Sequence, residues 1–257
     1  MVTSPVHSAA QEPAKHRRIS DTILSEIESG RWRPGDRLPA EDRLAERMGA
    51  SLGTMRRALR SLVETGVLAR RQGQGTFVSG ARAREDQLRH FRFMGDGGAT
   101  PLPVDFRILG VDRSDEAGPW SQFLGASEGG YVHIRRLVSV NGEFDLLSEI
   151  YLPADRFGAL IETPPARLDG VSFRDLIAER FNAPTLKTRQ TVCCQVLPPR
   201  ACRALGLAAG AYGLVWTIDG MSYRDAPVTW QRVFVPPGDR AIEIVPAAPG
   251  PETERRP

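Results

Sequence analysis

The sequence predicts an α+β protein of two parts, a group of short helices closed by a hairpin and then a larger antiparallel-sheet body. Three observations predict it. Apolar residues recur at helical spacing three times before Gly66, and each run ends at a glycine. An alternating stretch with a glycine-rich tip follows at 67–78. From 104 to 245 the apolar residues fall in β-forming runs with few helices between them. A chain of 257 residues with 41% hydrophobic and 25% charged residues has the material for two cores, which excludes a wholly disordered or collagen-like polymer. The expected division is a polar tail at 1–15, a helical domain at 16–80, a charged linker at 81–96, a sheet domain at 97–246 and a second tail at 247–257.

In the helical part, Ile19, Ile23, Leu24 and Ile27 share one helix face before Gly30, and the RPGD of Arg33 to Asp36 supplies a turn. A second helix is predicted over Ala40–Met48, with Leu44 and Met48 four apart and Gly49 as its stop. Ser51 can cap a third helix that runs to Thr65. On that helix Met55, Ala58, Leu59, Leu62 and Val63 lie on one side, and Arg56, Arg57 and Arg60 on the other. VLARRQGQGTFV then reads as a hairpin with its tip at Gln72 to Gly75. Three helices, a short turn between the second and third, and a terminal hairpin make a winged helix-turn-helix, whose third helix fits the DNA major groove while the wing tip approaches the backbone or minor groove.

Charge agrees with that assignment. Residues 15–80 hold thirteen Lys/Arg against eight acids, a net of +5 in a chain whose total is +3. The basic module is therefore expected to meet a polyanion and the rest of the chain is not. No stretch approaches the 18 apolar residues of a membrane span and the first 20 residues contain no signal core, so a cytoplasmic, nucleoid-associated protein is expected. Cys193, Cys194 and Cys202 show no CxxC or zinc spacing and are expected to pack; His7, His16, His90 and His133 are scattered. With no HExxH, GxSxG or phosphate-loop pattern, no catalytic residue, metal or cofactor is expected. GDGGAT at Gly95 to Thr100 lacks the lysine of a phosphate loop and reads as a turn.

In the sheet part, strands are predicted in VDFRILGV, YVHIRRLVSV, FDLLSEIYL, TRQTVCCQV, GLVWTIDGMSY and VTWQRVFV, with helices at Ser121–Leu124, Ser172–Phe181 and Arg200–Leu205. Asn141-Gly142 favours a two-residue primed turn. That turn would pair Val140 with Glu143, Val138 with Asp145, Arg136 with Leu147 and Ile134 with Glu149. Arg136 would then share a face with Asp145, Leu147, Glu149 and Tyr151. A guanidinium in an apolar stripe needs a partner, so either Glu149 pairs with it structurally or the two are held ready for a polar ligand.

ILSEIESGRWRPGDRLPAEDRLAERMGASLGTMRRALRSLVETGVLARRQGQGTFV resembles the DNA-binding domain of the GntR family of bacterial transcription regulators through its PGDRLP turn, LAERMG helix, TMRRAL and GQGTFV. The resemblance implies operator contacts from Arg43, Ser51, Thr54, Arg56, Arg57, Gln72, Gly73 and Gln74. It departs from the family pattern at Asp42 and Leu52, where arginine is usual, which implies a changed operator sequence with Arg43 standing in for the first. Residues 104–245 resemble the effector-sensing UTRA domain of the HutC subfamily, related in fold to chorismate lyase, through RRLVSVNGEFDLLSEIYLP, SFRDLI, ALGLAAG and DAPVTWQRVFVPPGDR. That resemblance implies an effector site using Arg136, Glu149, Ser172, Thr229 and Phe234, with Arg232 either at the site or facing solvent. Val138, Thr229 and Phe234 replace the Arg, Glu and Tyr of sugar-phosphate-binding relatives, which points toward a smaller or more apolar acid. The expected function is a ligand-responsive repressor that binds a near-palindromic double-stranded operator as a homodimer; the alternative is a small-acid-processing enzyme tethered to DNA.

Overall fold

The computed structural model describes residues 14–79, 91–98 and 100–244. The expected tails, apart from Ala14 and Lys15, and residues 81–90 of the expected linker lie outside the described residues. The chain forms two compact units, the first taking the residues up to Trp32 and Asp36–Val78, the second those from Ser79 onward.

In the first unit, α1 (Lys15–Glu28) buries Ile19, Ile23, Leu24 and Ile27, the face its spacing predicted. They pack with Met55, Ala58, Leu59 and Leu62 of α3 (Leu52–Glu64), and Ser20 Oγ donates to the Ala58 carbonyl at 3.1 Å. Between these two helices lies α2 (Glu41–Arg47), anchored by Leu44 and Ala45. Ser51 caps α3 by accepting the Thr54 N–H at 3.3 Å. The wing is β1 (Leu68–Arg71) against β2 (Gly75–Val78), with Leu68 opposite Val78. The Asp36–Leu38 segment adds to it: Val78 N–H donates to the Asp36 carbonyl and Leu38 N–H to that of Thr76, both at 2.9 Å.

The second unit is one antiparallel sheet of six strands in the order β3-β4-β5-β8-β7-β6. These are β3 (Val104–Ser114), β4 (Tyr131–Val140), β5 (Phe144–Pro153), β6 (Lys187–Val196), β7 (Tyr212–Met221) and β8 (Pro227–Val235). One face carries two core clusters, one built on Val138, Val140, Leu146, Trp216 and Val233, the other on Ile134, Ile150 and Leu152 with α5 (Ala154–Phe157) and α6 (Phe173–Phe181). The opposite face packs beneath the short helices α4 (Pro119–Leu124) and α7 (Pro199–Ala204). Phe91 and Phe93, inside the stretch expected to be linker, are core residues: the Phe91 ring lies 6.3 Å from Trp216 and that of Phe93 5.1 Å from Phe144. Their aromatic character carried that information, and the charged neighbours at 81–90 masked it.

The β4–β5 register differs from expectation by one residue. The primed turn forms, with Asn141 at φ 52° and Gly142 at φ 68° and the Glu143 N–H donating to the Val140 carbonyl at 2.9 Å. Glu143, however, leaves the ladder; its carboxylate takes bonds from Asn141 and Arg240, and pairing resumes with Val140 opposite Phe144. Arg136 therefore pairs with Ser148, Val138 with Leu146 and Ile134 with Ile150. A one-residue slip moves every side chain of β5 to the other face. Alternation could not expose the error, because β5 is buried on both faces from Leu146 to Leu152.

The sheet's two edges contrast. On β3 a bulge between Ile108 and Gly110 and the charges Asp105, Arg107, Asp112 and Arg113 blunt the edge, whereas Thr191–Val196 of β6 is uncharged, with Val192 and Val196 nearly half exposed. Cys193 and Cys194 lie exposed on β6, so of the three thiols expected to pack only Cys202 does. Among the described residues, no helix is long and apolar enough to cross a membrane.

Candidate functional site

In the first unit the cap at Ser51 fixes where α3 begins, and its 100° turn per residue then sends Arg56 and Arg57 outward while Met55 and Ala58 point in. Ser51, Arg43, Arg56 and Arg57 are exposed and Thr54 is half-buried, its hydroxyl 2.8 Å from that of Ser51. Gln72, Gly73 and Gln74 form the exposed wing tip, closed by the Gln74 N–H donating to the Arg71 carbonyl at 3.0 Å. Gly73 holds φ 70° with open space where a Cβ would stand, a conformation that favours glycine and leaves the tip narrow. One residue whose place here the sequence did not reveal, Glu41, belongs to this surface. Glu41, the first residue of α2, accepts from Arg56 Nε at 2.9 Å and from Arg70 of β1 at 2.7 Å. Leu52, the first residue of α3, is 38% exposed and presents only carbon.

The second unit carries a cleft of about 810 Å³ on the sheet face that holds Arg136. Of the residues expected at an effector site, Arg136, Ser172 and Thr229 line it, together with Phe106, Phe173 and Gln231, which sequence reasoning did not single out. Arg136 is 5% exposed. Its guanidinium lies 4.4 Å from the Phe106 ring centroid and 5.5 Å from that of Phe173, and Nε donates to Ser148 Oγ at 3.4 Å. Gln231 donates to the same hydroxyl at 2.9 Å. No carboxylate bonds Arg136 among the described residues. Burial pushes its pKa down to about 9, which leaves it charged near neutrality. Ser172 caps α6, but its bond from the Asp175 N–H is long at 3.5 Å. The cleft thus offers a desolvated cation between aromatic faces, with hydroxyl and amide groups nearby and the less buried Arg92, Arg174 and Asp175 also on its lining: a site for an anionic group on a partly apolar molecule.

Glu149 and Phe234 do not reach this cleft. The register places Glu149 opposite Arg135 and Arg232, and Phe234 opposite Leu147 and Val215, on the other face. Glu149 is 2% exposed and accepts two bonds from Arg200 at the start of α7, at 2.7 and 2.9 Å. Phe234 lies in the core under α7 with Arg200 over its ring at 5.2 Å. Arg232 is there too, stacked over Trp230 at 4.7 Å. His133 stacks on Tyr151 at 4.3 Å, and burial lowers its pKa, which favours the neutral imidazole. Glu149 is therefore the buried counter-ion that ties α7 to the sheet, and the pairing with Arg136 is corrected.

Residues 15–78 match the model of bacterial regulatory proteins of the gntR family, and residues 104–240 match the UTRA domain. The histidine utilization repressor of Pseudomonas aeruginosa is 45% identical over 78 residues, 30% of this chain and 31% of that protein. The uncharacterized HTH-type transcriptional regulator YurK of Bacillus subtilis is 29% identical over 178 residues, 67% of this chain and 71% of that one. The chain thus spans about a third of the length of the histidine utilization repressors it matches. Among solved structures, the ligand-binding domain of a Bordetella bronchiseptica protein assigned to the GntR family superposes with a TM-score of 0.52 at 18% identity, covering 62% of this chain and 98% of that one, a likeness of fold.

Proposed function

This chain belongs to the GntR family of bacterial regulatory proteins and carries its UTRA domain, and on that premise we propose that it is a ligand-responsive transcription regulator, a repressor, whose effector is a small organic acid. Operator contacts are assigned to Arg43, Ser51, Thr54, Arg56, Arg57 and the wing tip Gln72–Gly73–Gln74, because these residues lie on or beside α2, α3 and the wing and all but the half-buried Thr54 are exposed. With Leu52 in an arginine position, less of the direct base readout falls to guanidinium groups.

The observation that carries the effector assignment is Arg136, a charge 5% exposed whose hydrogen bond among the described residues is to a neutral hydroxyl. A buried cation without a counter-ion is costly, and a carboxylate entering the cleft beside Ser172 and Thr229 relieves that cost. Phe106 and Phe173 suit an apolar or aromatic remainder.

The protein is assigned to the cytoplasm, at the nucleoid, as a two-fold dimer on a near-palindromic site. The unblunted β6 edge supports placing part of the dimer contact in the second unit. The assignment is tested by selecting duplexes from a random-sequence pool with the full chain and adding small carboxylic acids to the selected complex. Sequence enrichment followed by acid-dependent release supports it; enrichment of nothing rejects it.

A further inference from the structure

The geometry points to Glu41 as a positioning residue for DNA readout, one carboxylate that clamps the recognition helix and the wing and presents Arg56 end-on; the inference rests on the operator-binding function proposed above. Its two oxygens take one partner each. Oε2 accepts from Arg56 Nε on α3 at 2.9 Å, and Oε1 from Arg70 on β1 at 2.7 Å. Three elements that are separate in sequence meet on this side chain. The chemistry of the bond to Arg56 matters more than its strength. Bonding through Nε leaves the two terminal nitrogens pointing past Glu41, and these are the pair that reads guanine O6 and N7. The Arg56 side chain is 60% exposed and Glu41 27%, so the arginine stays accessible while the carboxylate that holds its Nε is partly covered.

Neither stability nor simple affinity accounts for an acid here. Exposed ion pairs contribute little to folding. On a surface that meets phosphates, a carboxylate that partly neutralises two arginines lowers non-specific attraction. What the arrangement supplies is orientation, and this chain depends on it: with Asp42 and Leu52 in positions that resemble arginine sites, Arg56 is the first guanidinium along α3. A long side chain held in one rotamer loses less freedom on binding, and it discriminates between bases where a free one does not.

The test uses the full chain and a pool of random-sequence duplexes. The duplex most enriched by the wild type is compared with a shuffled duplex of the same composition, across a salt series, for the wild type, Glu41→Gln and Glu41→Asp, with melting curves to establish that each is folded. Glu41→Gln is expected to bind the shuffled duplex at least as tightly as wild type, with a salt slope steeper by up to about one charge, and to lose roughly tenfold or more of the preference for the selected duplex. Glu41→Asp keeps the charge but is one methylene short of the clamp; it is expected to keep the wild-type slope and to lose preference as well. Full preference in both variants overturns the assignment, and so does full rescue by Glu41→Asp, which would reduce Glu41 to a charge. A wild type that enriches no sequence defeats the operator-binding function itself and the Glu41 role with it.

Discussion

Arg136 stands directly opposite Ser148 across the β4–β5 ladder, and its Nε donates to the Ser148 hydroxyl at 3.4 Å, a long neutral bond for a charge that is 5% exposed. Gln231 takes the better share of that hydroxyl at 2.9 Å. The cation is consequently held in place without being neutralised.

Arg136→Met is expected to stabilise the second unit, because replacing a buried charge by a packed apolar side chain of similar length removes its desolvation cost. The gain is on the order of 1 kcal/mol or more, read as a higher denaturant midpoint at unchanged slope. A loss of stability would mean that Arg136 has a counter-ion after all.

Glu149 gives the opposite expectation. Arg200→Met leaves a carboxylate buried beneath α7 without its two bonds, and should destabilise by about 3 kcal/mol, toward the lower end for a broken buried pair because Arg200 itself is half exposed. Acid-dependent DNA release, measured where the variant is still folded, should persist. An Arg200→Met protein with native stability and no response would return Glu149 to the effector site.

The cleft should also show in the pH dependence of effector binding. Arg136 has its pKa lowered by burial to about 9, so it is charged below that value and loses its proton as pH rises through it. Acid affinity should therefore be flat from neutrality to about pH 9 and then fall, approaching tenfold per pH unit. Calorimetric titration at stepped pH measures it; affinity that already falls near neutrality would contradict a charged Arg136 at the contact.

Arg56→Ala should weaken binding to the selected duplex by about 1–3 kcal/mol, the worth of a bidentate base contact, and leave shuffled-duplex binding less affected. Equal losses on both duplexes would make Arg56 a phosphate contact.

For the dimer, the selected duplex should contain two related half-sites about one helical turn, roughly 34–36 Å, apart. Val192→Glu, which places a charge on the exposed β6 edge, is expected to shift the protein toward monomer in sedimentation and to weaken binding to the paired site more than to a single half-site. An unchanged sedimentation coefficient would move the interface elsewhere.

Sequence made the first unit legible because its determinants are local. The spacing of Ile19 to Ile27, the cap at Ser51 and the glycine tip at Gly73 each act within a few residues. In the sheet, strand positions followed from composition, but register did not: it depends on how Glu143 leaves the turn, where its carboxylate takes bonds from Asn141 and from Arg240, 97 residues later. That single residue decided the faces of Glu149 and Ser148, and with them one of the five residues expected at the site. Arg136 was found because a charge in the run VHIRRLVSV is conspicuous, whereas Phe106, Phe173 and Gln231 read as ordinary sheet and helix residues until the fold brought them together. Glu41 was hidden for the same reason, its two partners lying 15 and 29 residues away.

The most direct measurement is the effect of small carboxylic acids on the complex between the full chain and its selected duplex, followed by fluorescence anisotropy for wild type and Arg136→Met in parallel. Coupling of about 1–3 kcal/mol, a five- to 150-fold loss of DNA affinity, is expected for wild type with at least one acid, and none for Arg136→Met, with both proteins binding the duplex equally well before the acid is added. A variant that releases DNA at the same acid concentration as wild type would contradict the account, leaving Arg136 as a buried structural charge and the cleft without its anchor.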